Sequence, residues 1–221
     1  MQTNVLLIRV LAGIKISSLS TLAEAVSVIH KTYSVPHLII TSVQLSKLLP
    51  GSSPAAAASA PSEASLTVIG STTRSDGSPR LFRVDVPALD CYFSGTGDMF
   101  AALTVARLRE AVFNDSDQNL RSTKSWVSSD SVQATHLPLA KATVKVLESM
   151  HSVLEKTLQA RNAEIARATA SGGDSSDALT EEDKRKQEVL LQSKAAEVRL
   201  VRNVRFLKAP TVQFKAQEWT E

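Results

Sequence analysis

The chain has 221 residues, 43% of them apolar and 21% charged, with a formal net charge of +3. That is the make-up of a globular chain long enough for one domain or two small ones. Interleaved cations and acids (EEDKRKQE at 181–188) and an aromatic content of 5% argue against a dedicated nucleic-acid surface.

The elements follow in chain order. Val5 to Val10 reads as a short strand or a ragged terminus. Arg9 interrupts its apolar run, which disfavours a secretory signal, and no run in the chain reaches the roughly 18 apolar residues that span a bilayer, so no membrane partner is expected. Thr21 and Glu24 match a capping box, and Leu22, Val26, Ile29 and Tyr33 recur at helical spacing, which predicts a helix over 21–33 ended by Val35-Pro36. HLIITS at 37–42 is a short β-branched run that reads as a buried strand, and a helix feeding such a strand is the mark of an α/β chain.

Residues 50–65 (PGSSPAAAASAPSEAS) are low-complexity and read as a disordered surface loop. Leu66–Ser71 and Leu81–Val86 are expected to pair as a hairpin about the Ser75-Asp76-Gly77-Ser78-Pro79 turn, the second strand being half exposed. A helix is expected over 98–112, with Met99, Ala102, Leu103, Ala106 and Val112 on one broad face. A polar loop follows over 114–130, then a long helix at about 137–166. Ser171-Gly172-Gly173-Asp174 ends that helix or links it onward, Thr180 caps another that runs to about 196, and Val198–Val204 reads as a final strand. The single cysteine, Cys91, excludes an internal disulfide and reads as a buried structural thiol; it fits a reducing compartment, so the expected location is cytoplasmic. His30, His37, His136 and His151 have no metal-ligand spacing, and Arg199, Arg202, Arg205 and Lys208 read as a solvated face.

The stretch with most chemical content is CYFSGTGDMFAA at 91–102. Gly95 and Gly97 allow backbone angles that side chains forbid, and the free N–H groups at a helix start can hold a phosphate. Asp98 places a carboxylate at that anion site. Like charges repel, so the arrangement makes sense if Asp98 takes a proton from a hydroxyl that attacks the phosphate. The plainer alternative is equally open on local physics: Gly-Thr-Gly as a tight strand-to-helix turn with Asp98 as its N-cap.

FSGTGDMFAALTVARL resembles the G-T-G-D signature of pyridoxal kinases, a branch of the ribokinase-like superfamily. LIITSVQL at 38–45 is similar to that family's threonine- and serine-bearing strand end, residues 66–98 to its hairpin and approach to the base, and AAEVRLVRNVRFLKAP to its closing strand. The resemblance runs from about Gly13 to the C-terminus and covers only the C-terminal part of such a kinase, leaving residues 1–12 as an atypical N-terminus. It implies a ribokinase-like three-layer α/β/α sandwich, represented by its C-terminal portion. It implies ATP-dependent phosphorylation of the 5′-hydroxymethyl group of pyridoxal, pyridoxine or pyridoxamine.

By position, the resemblance makes Asp98 the catalytic base and Gly95, Thr96 and Gly97 the anion hole. Thr41 and Ser42 match nucleotide and cation contacts, with Thr41 near the metal, and Leu89, Asp90 and Cys91 match the adenine side of ATP, as does Thr96 its phosphates. The implied cofactors are ATP and Mg2+, with a monovalent cation as an option, and the implied partners are a vitamin B6 vitamer and a second copy in a homodimer. The chain departs from the family in one motif: the N-x-x-E that organises magnesium before the helix matching 21–33 is not found in MQTNVLLIRVLAGIKISSL. Two alternatives stand beside the kinase reading, a catalytically incomplete kinase fragment and a ribokinase-like kinase for a sugar, nucleoside or hydroxymethyl-pyrimidine.

Overall fold

A computed structural model describes residues 3–43, 65–171, 182, 185, 186, 189, 190, 194, 197–211 and 213–219. The expected loop at 50–65 (apart from Ser65), the glycine turn at 171–174 (apart from Ser171) and most of the expected helix at 180–196 lie outside these residues. The chain divides into two compact units. The first comprises residues 1–88, 103–147 and 214–221, and the second residues 89–102 and 148–213.

The first unit is built on an antiparallel sheet in the order β1 (His37–Val43), β2 (Ser65–Thr73), β3 (Pro79–Pro87), β4 (Gln217–Glu218). The hairpin joining β2 and β3 forms where its turn residues place it. Gly77 sits at φ +80, its N–H donates to the Arg74 carbonyl at 3.0 Å, and Ser78 N–H donates to Asp76 Oδ1 at 2.8 Å. Two helices, α1 (Thr3–Ala12) and α2 (Leu19–Tyr33), pack beside this sheet. Their core joins Ile8, Leu22, Val26 and Ile29 to Ile40, Val43 and Ile69 of the strands.

Two expectations at this end are corrected. Residues 5–10 are helix, not strand. Val5, Ile8 and Ala12, spaced three and four apart, turn toward the core, and Gly13 at φ +69 closes the helix by donating to the Arg9 carbonyl at 3.0 Å. The cap of α2 lies three residues earlier than expected. Ser18 is the N-cap and Thr21 its reciprocal partner: Thr21 N–H donates to Ser18 Oγ at 3.2 Å, and Ser18 N–H to Thr21 Oγ1 at 3.0 Å. Ser34, at φ 53, ends the helix just before Val35-Pro36.

Helix α3 (Thr96–Phe113) begins in the second unit and ends in the first, and α4 (Pro138–Ser171) does the reverse. Within the first unit, Glu110 accepts from Lys145 at 2.8 Å and from Arg107 at 2.6 Å, and Lys141 pairs with Asp115 at 3.1 Å. Met99 and Val112 of α3 are buried as expected and Leu103 is half buried, but Ala102 and Ala106 are exposed, as is Val105 at 73%. The polar stretch after α3 is a run of short turns at 118–122, 124–126 and 134–136.

In the second unit, the C-terminal part of α4 holds residues 197–211 through its hydroxyls. Thr157 Oγ1 accepts from Arg199 N–H and Ser152 Oγ from Thr211 N–H, both at 3.3 Å, while Ser149 Oγ donates to the Leu207 carbonyl at 3.2 Å. Glu164 pairs with Arg199. The expected strand at 198–204 is instead a 3₁₀ turn at Val201–Asn203 running into a short helix, α5 (Val204–Lys208). A strand needs a neighbour for its amides and carbonyls. Glu197, just before this segment, makes a lone parallel bridge to Ser94, and the residues after it close local bonds such as Asn203 N–H to the Leu200 carbonyl at 3.0 Å.

Candidate active site

The glycine turn lies in the second unit. Gly95 adopts φ +80, a conformation that L side chains rarely take. Its carbonyl accepts the first bond of α3, from Met99 N–H at 3.2 Å. Gly95 therefore occupies the cap position, and the amides of Thr96, Gly97 and Asp98 stand ahead of the first complete turn, in the arrangement that suits an anion. Asp98 is the third residue of the helix rather than its N-cap, so capping does not account for its carboxylate.

Two buried side chains fix the turn: Phe93 before it and Met99 after it, 9% and 6% exposed. Between them Ser94, Gly95, Gly97 and Asp98 are exposed and Thr96 is half buried. A Cβ added to Gly95 or Gly97 would meet nothing within 4 Å. The backbone surface at both glycines is open, which is what close approach of a phosphate requires. Sequence reading found the glycines and Met99 but missed Phe93, which stands in a non-helical turn where no periodicity marks it.

Leu89, Asp90 and Cys91 precede the turn in the same unit. Asp90 is exposed, Leu89 and Cys91 are half buried, and Cys91 N–H donates to the Leu89 carbonyl at 2.8 Å. Cys91 is a free thiol, half exposed rather than buried as expected, because its Sγ turns to the neighbouring Tyr92 carbonyl at 3.5 Å in an exposed stretch.

Thr41 and Ser42 lie in the first unit, at the carboxyl end of β1. Ile40 pairs with Ile69 and Val43 with Thr67, so Thr41 and Ser42 together oppose the single residue Val68. This is a β-bulge, and Ser42 takes φ 60 within it. Bulges re-aim side chains, and non-glycine residues in the left-handed region collect at functional sites. Because β1 and β3 both run antiparallel to β2, their carboxyl ends, Val43 and Pro87, lie at the same end of the sheet. No sequence signal marked the bulge, since no glycine stands there.

Among the described residues no group of three or more His, Cys, Asp or Glu is placed to hold a metal ion. Of the four histidines, His30 is the one most enclosed by hydrogen bonds. His30 is 4% exposed, with Nδ1 at 2.5 Å from the Val35 carbonyl and Nε2 at 2.8 Å from Ser71 Oγ, and burial holds its pKa below the ordinary range. No helix of the described residues is long and apolar enough to cross a membrane.

No protein-family model matches the chain. It is 28% identical over 156 residues to the Schizosaccharomyces pombe protein named "Putative pyridoxal kinase C18.10", covering 70% of this chain and 39% of that protein. A second protein of that organism, "Putative pyridoxal kinase C6F6.11c", is also 28% identical, over 67% of this chain and 38% of its own length. Among solved structures, the Leishmania donovani pyridoxal kinase in complex with ADP and pyridoxamine matches 96% of this chain and 49% of its own, with a TM-score of 0.55 and 19% identity. Plasmodium falciparum PdxK with AMP-PNP and PL matches at a TM-score of 0.51 and 14% identity, over 96% of this chain and 47% of its own. The chain thus has the α/β fold of pyridoxal kinases, the ribokinase-like fold expected from its sequence, and spans about half the length of the solved structures it matches.

Proposed function

We propose that this chain carries the phosphoryl-transfer portion of a pyridoxal kinase, phosphorylating the 5′-hydroxymethyl group of a vitamin B6 vitamer with ATP. The observation that carries the reading is the turn at 95–98: an open anion cradle of helix-start amides with an exposed carboxylate beside it that the helix does not use as a cap. Its support is the likeness to curated and solved pyridoxal kinases, one of them in complex with ADP and pyridoxamine.

In this reading the vitamer's hydroxyl oxygen attacks the γ-phosphorus of ATP. Its proton passes to the Asp98 carboxylate, the new O–P bond forms, and ADP leaves with the electrons of the broken P–O bond. The amides of Thr96, Gly97 and Asp98, at the positive end of the α3 dipole, stabilise charge on the transferring group. Thr41 and Ser42 are nucleotide contacts presented by the bulge, and Leu89 to Cys91 line the adenine side. With no carboxylate or imidazole cage among the described residues, Mg2+ would be held chiefly by nucleotide phosphates and water, with the Thr41 hydroxyl as one protein oxygen. When bound, it neutralises phosphate charge. Homodimerisation belongs to the same proposal.

Transfer of phosphate from ATP to pyridoxal, followed with the 221-residue chain and magnesium, tests the reading. Turnover no higher than that of Asp98→Asn would falsify it for this chain, and faster turnover on a sugar or nucleoside would move it to another alcohol. A second reading is a chain that binds nucleotide without turnover; the chain covers 49% of the solved Leishmania donovani kinase and 39% of the first curated relative. ATP binding to Asp98→Asn equal to wild type, with no transfer by either, would select that reading.

A further inference from the structure

The chain ahead of the glycine turn turns one face to solvent. Phe93 is buried, while Tyr92 and Ser94 on either side of it are exposed, Tyr92 at 88%. Exposed, buried, exposed is the alternation of extended chain, in which side chains two apart share a face. Tyr92 and Ser94 therefore point away from the pocket that holds Phe93. Ser94 forms a parallel β-bridge with Glu197, also of the second unit. Bridged residues lie about 5 Å apart and project to the same face, and Glu197 is exposed accordingly.

This face has two chemical assets. Tyr92 offers a flat ring with nearly all of its surface in water. Glu197 offers a negative charge that no described residue neutralises: its carboxylate makes no hydrogen bond or ion pair among them. Arg199, the next cation along the chain, is taken up by Glu164. Tyr92 stands four residues before Thr96, whose amide opens the anion cradle, so the two are at most about 14 Å apart.

We propose that Tyr92 and Glu197 form an acceptor subsite for a flat heteroaromatic ring bearing an ammonium group, which makes the site prefer pyridoxamine to pyridoxine. The identity of the ring rests on the kinase reading. The ring stacks on Tyr92, and its ammonium group donates to the Glu197 carboxylate. The cradle amides and Glu197 thus sort the reactants by charge, phosphate to the N–H groups and amine to the carboxylate. Pyridoxine carries a neutral hydroxymethyl group where pyridoxamine carries the amine, so it forgoes the charge-assisted bond.

Equilibrium dialysis of the 221-residue chain against pyridoxamine and against pyridoxine, without ATP, tests the subsite. Glu197→Gln should weaken pyridoxamine about tenfold and pyridoxine less than about twofold. Tyr92→Ala should weaken both about three- to tenfold, and Tyr92→Phe neither. Raising salt from about 0.05 M to about 0.5 M should narrow the preference of the wild type and leave Glu197→Gln unchanged. Saturable binding of neither vitamer, equal wild-type affinities for the two, an equal effect of Glu197→Gln on both, or full binding by Tyr92→Ala would each overturn the subsite. Phosphate transfer is followed separately. Binding in the expected pattern without transfer would sink the kinase reading and keep the subsite. Transfer with the same pyridoxamine-to-pyridoxine ratio in wild type and Glu197→Gln would do the reverse.

Discussion

Asp98 and its two glycines separate binding from folding more sharply than any other residues of the chain. Asp98 is exposed and caps nothing, so Asp98→Asn should leave the thermal midpoint near that of wild type while lowering phosphoryl transfer by about 10²–10⁴-fold, the range set by losing a positioned base. A melting curve shifted as strongly as the rate would mean that the carboxylate is structural. The glycines divide differently. Gly95→Ala must hold φ +80 and should cost about 1 kcal/mol, although its Cβ meets no atom. Gly97 has no such backbone demand and lies in helix, so Gly97→Ala should hold stability or raise it by up to about 1 kcal/mol. If the cradle holds phosphate, the same methyl crowds it, and the KM for ATP rises. Unchanged ATP kinetics in a more stable Gly97→Ala would reduce the turn to a helix start.

At the scale of elements, the centre of β2 leaves no latitude. A Cβ at Gly70 would stand 2.1 Å from the Phe82 ring of β3, and Phe82 is fully buried. Gly70→Ala should cost about 3 kcal/mol or more by chemical denaturation, whereas Ser18→Ala, which removes a cap, should cost about 1 kcal/mol. Equal costs would refute the packing argument. The elements also divide by how they announce themselves in sequence. The α2 helix and the hairpin were legible because side-chain period and turn residues agree there: Leu22, Val26 and Ile29 form one stripe, and Asp76-Gly77 supplies the turn chemistry. The cap of α2 was misplaced because Ser18 and Thr21 are both good caps, and only the backbone decides between them. The α1 segment and the expected strand at 198–204 are short apolar runs whose state depends on neighbours, Ile8 finding a core and Val201 finding no strand. The Thr41-Ser42 bulge left no trace because one extra residue in a strand changes no composition.

Over the whole molecule, acid should act in two stages. His30, His37 and His151 are all held below the ordinary histidine pKa, burial being the largest cause each time. The unfolded chain takes up protons on these rings near pH 6.5 while the folded chain still excludes them. The stability they contribute is thus complete above about pH 6.5 and is lost as pH falls through the lower folded values. Carboxylates form the second stage. Glu110 is held down by Lys145 and then Arg107, and Asp130 by the Ser75 hydroxyl and amide, so their share persists below the histidine range and disappears only as pH falls through the acid range. Urea midpoints measured between about pH 8 and about pH 3 should therefore decline in two steps. The double variant His30→Gln/His37→Gln should flatten the upper step, leaving the share of His151, without moving the lower one. A midpoint that stays level from about pH 7.5 to about pH 5 would contradict the burial of neutral imidazoles.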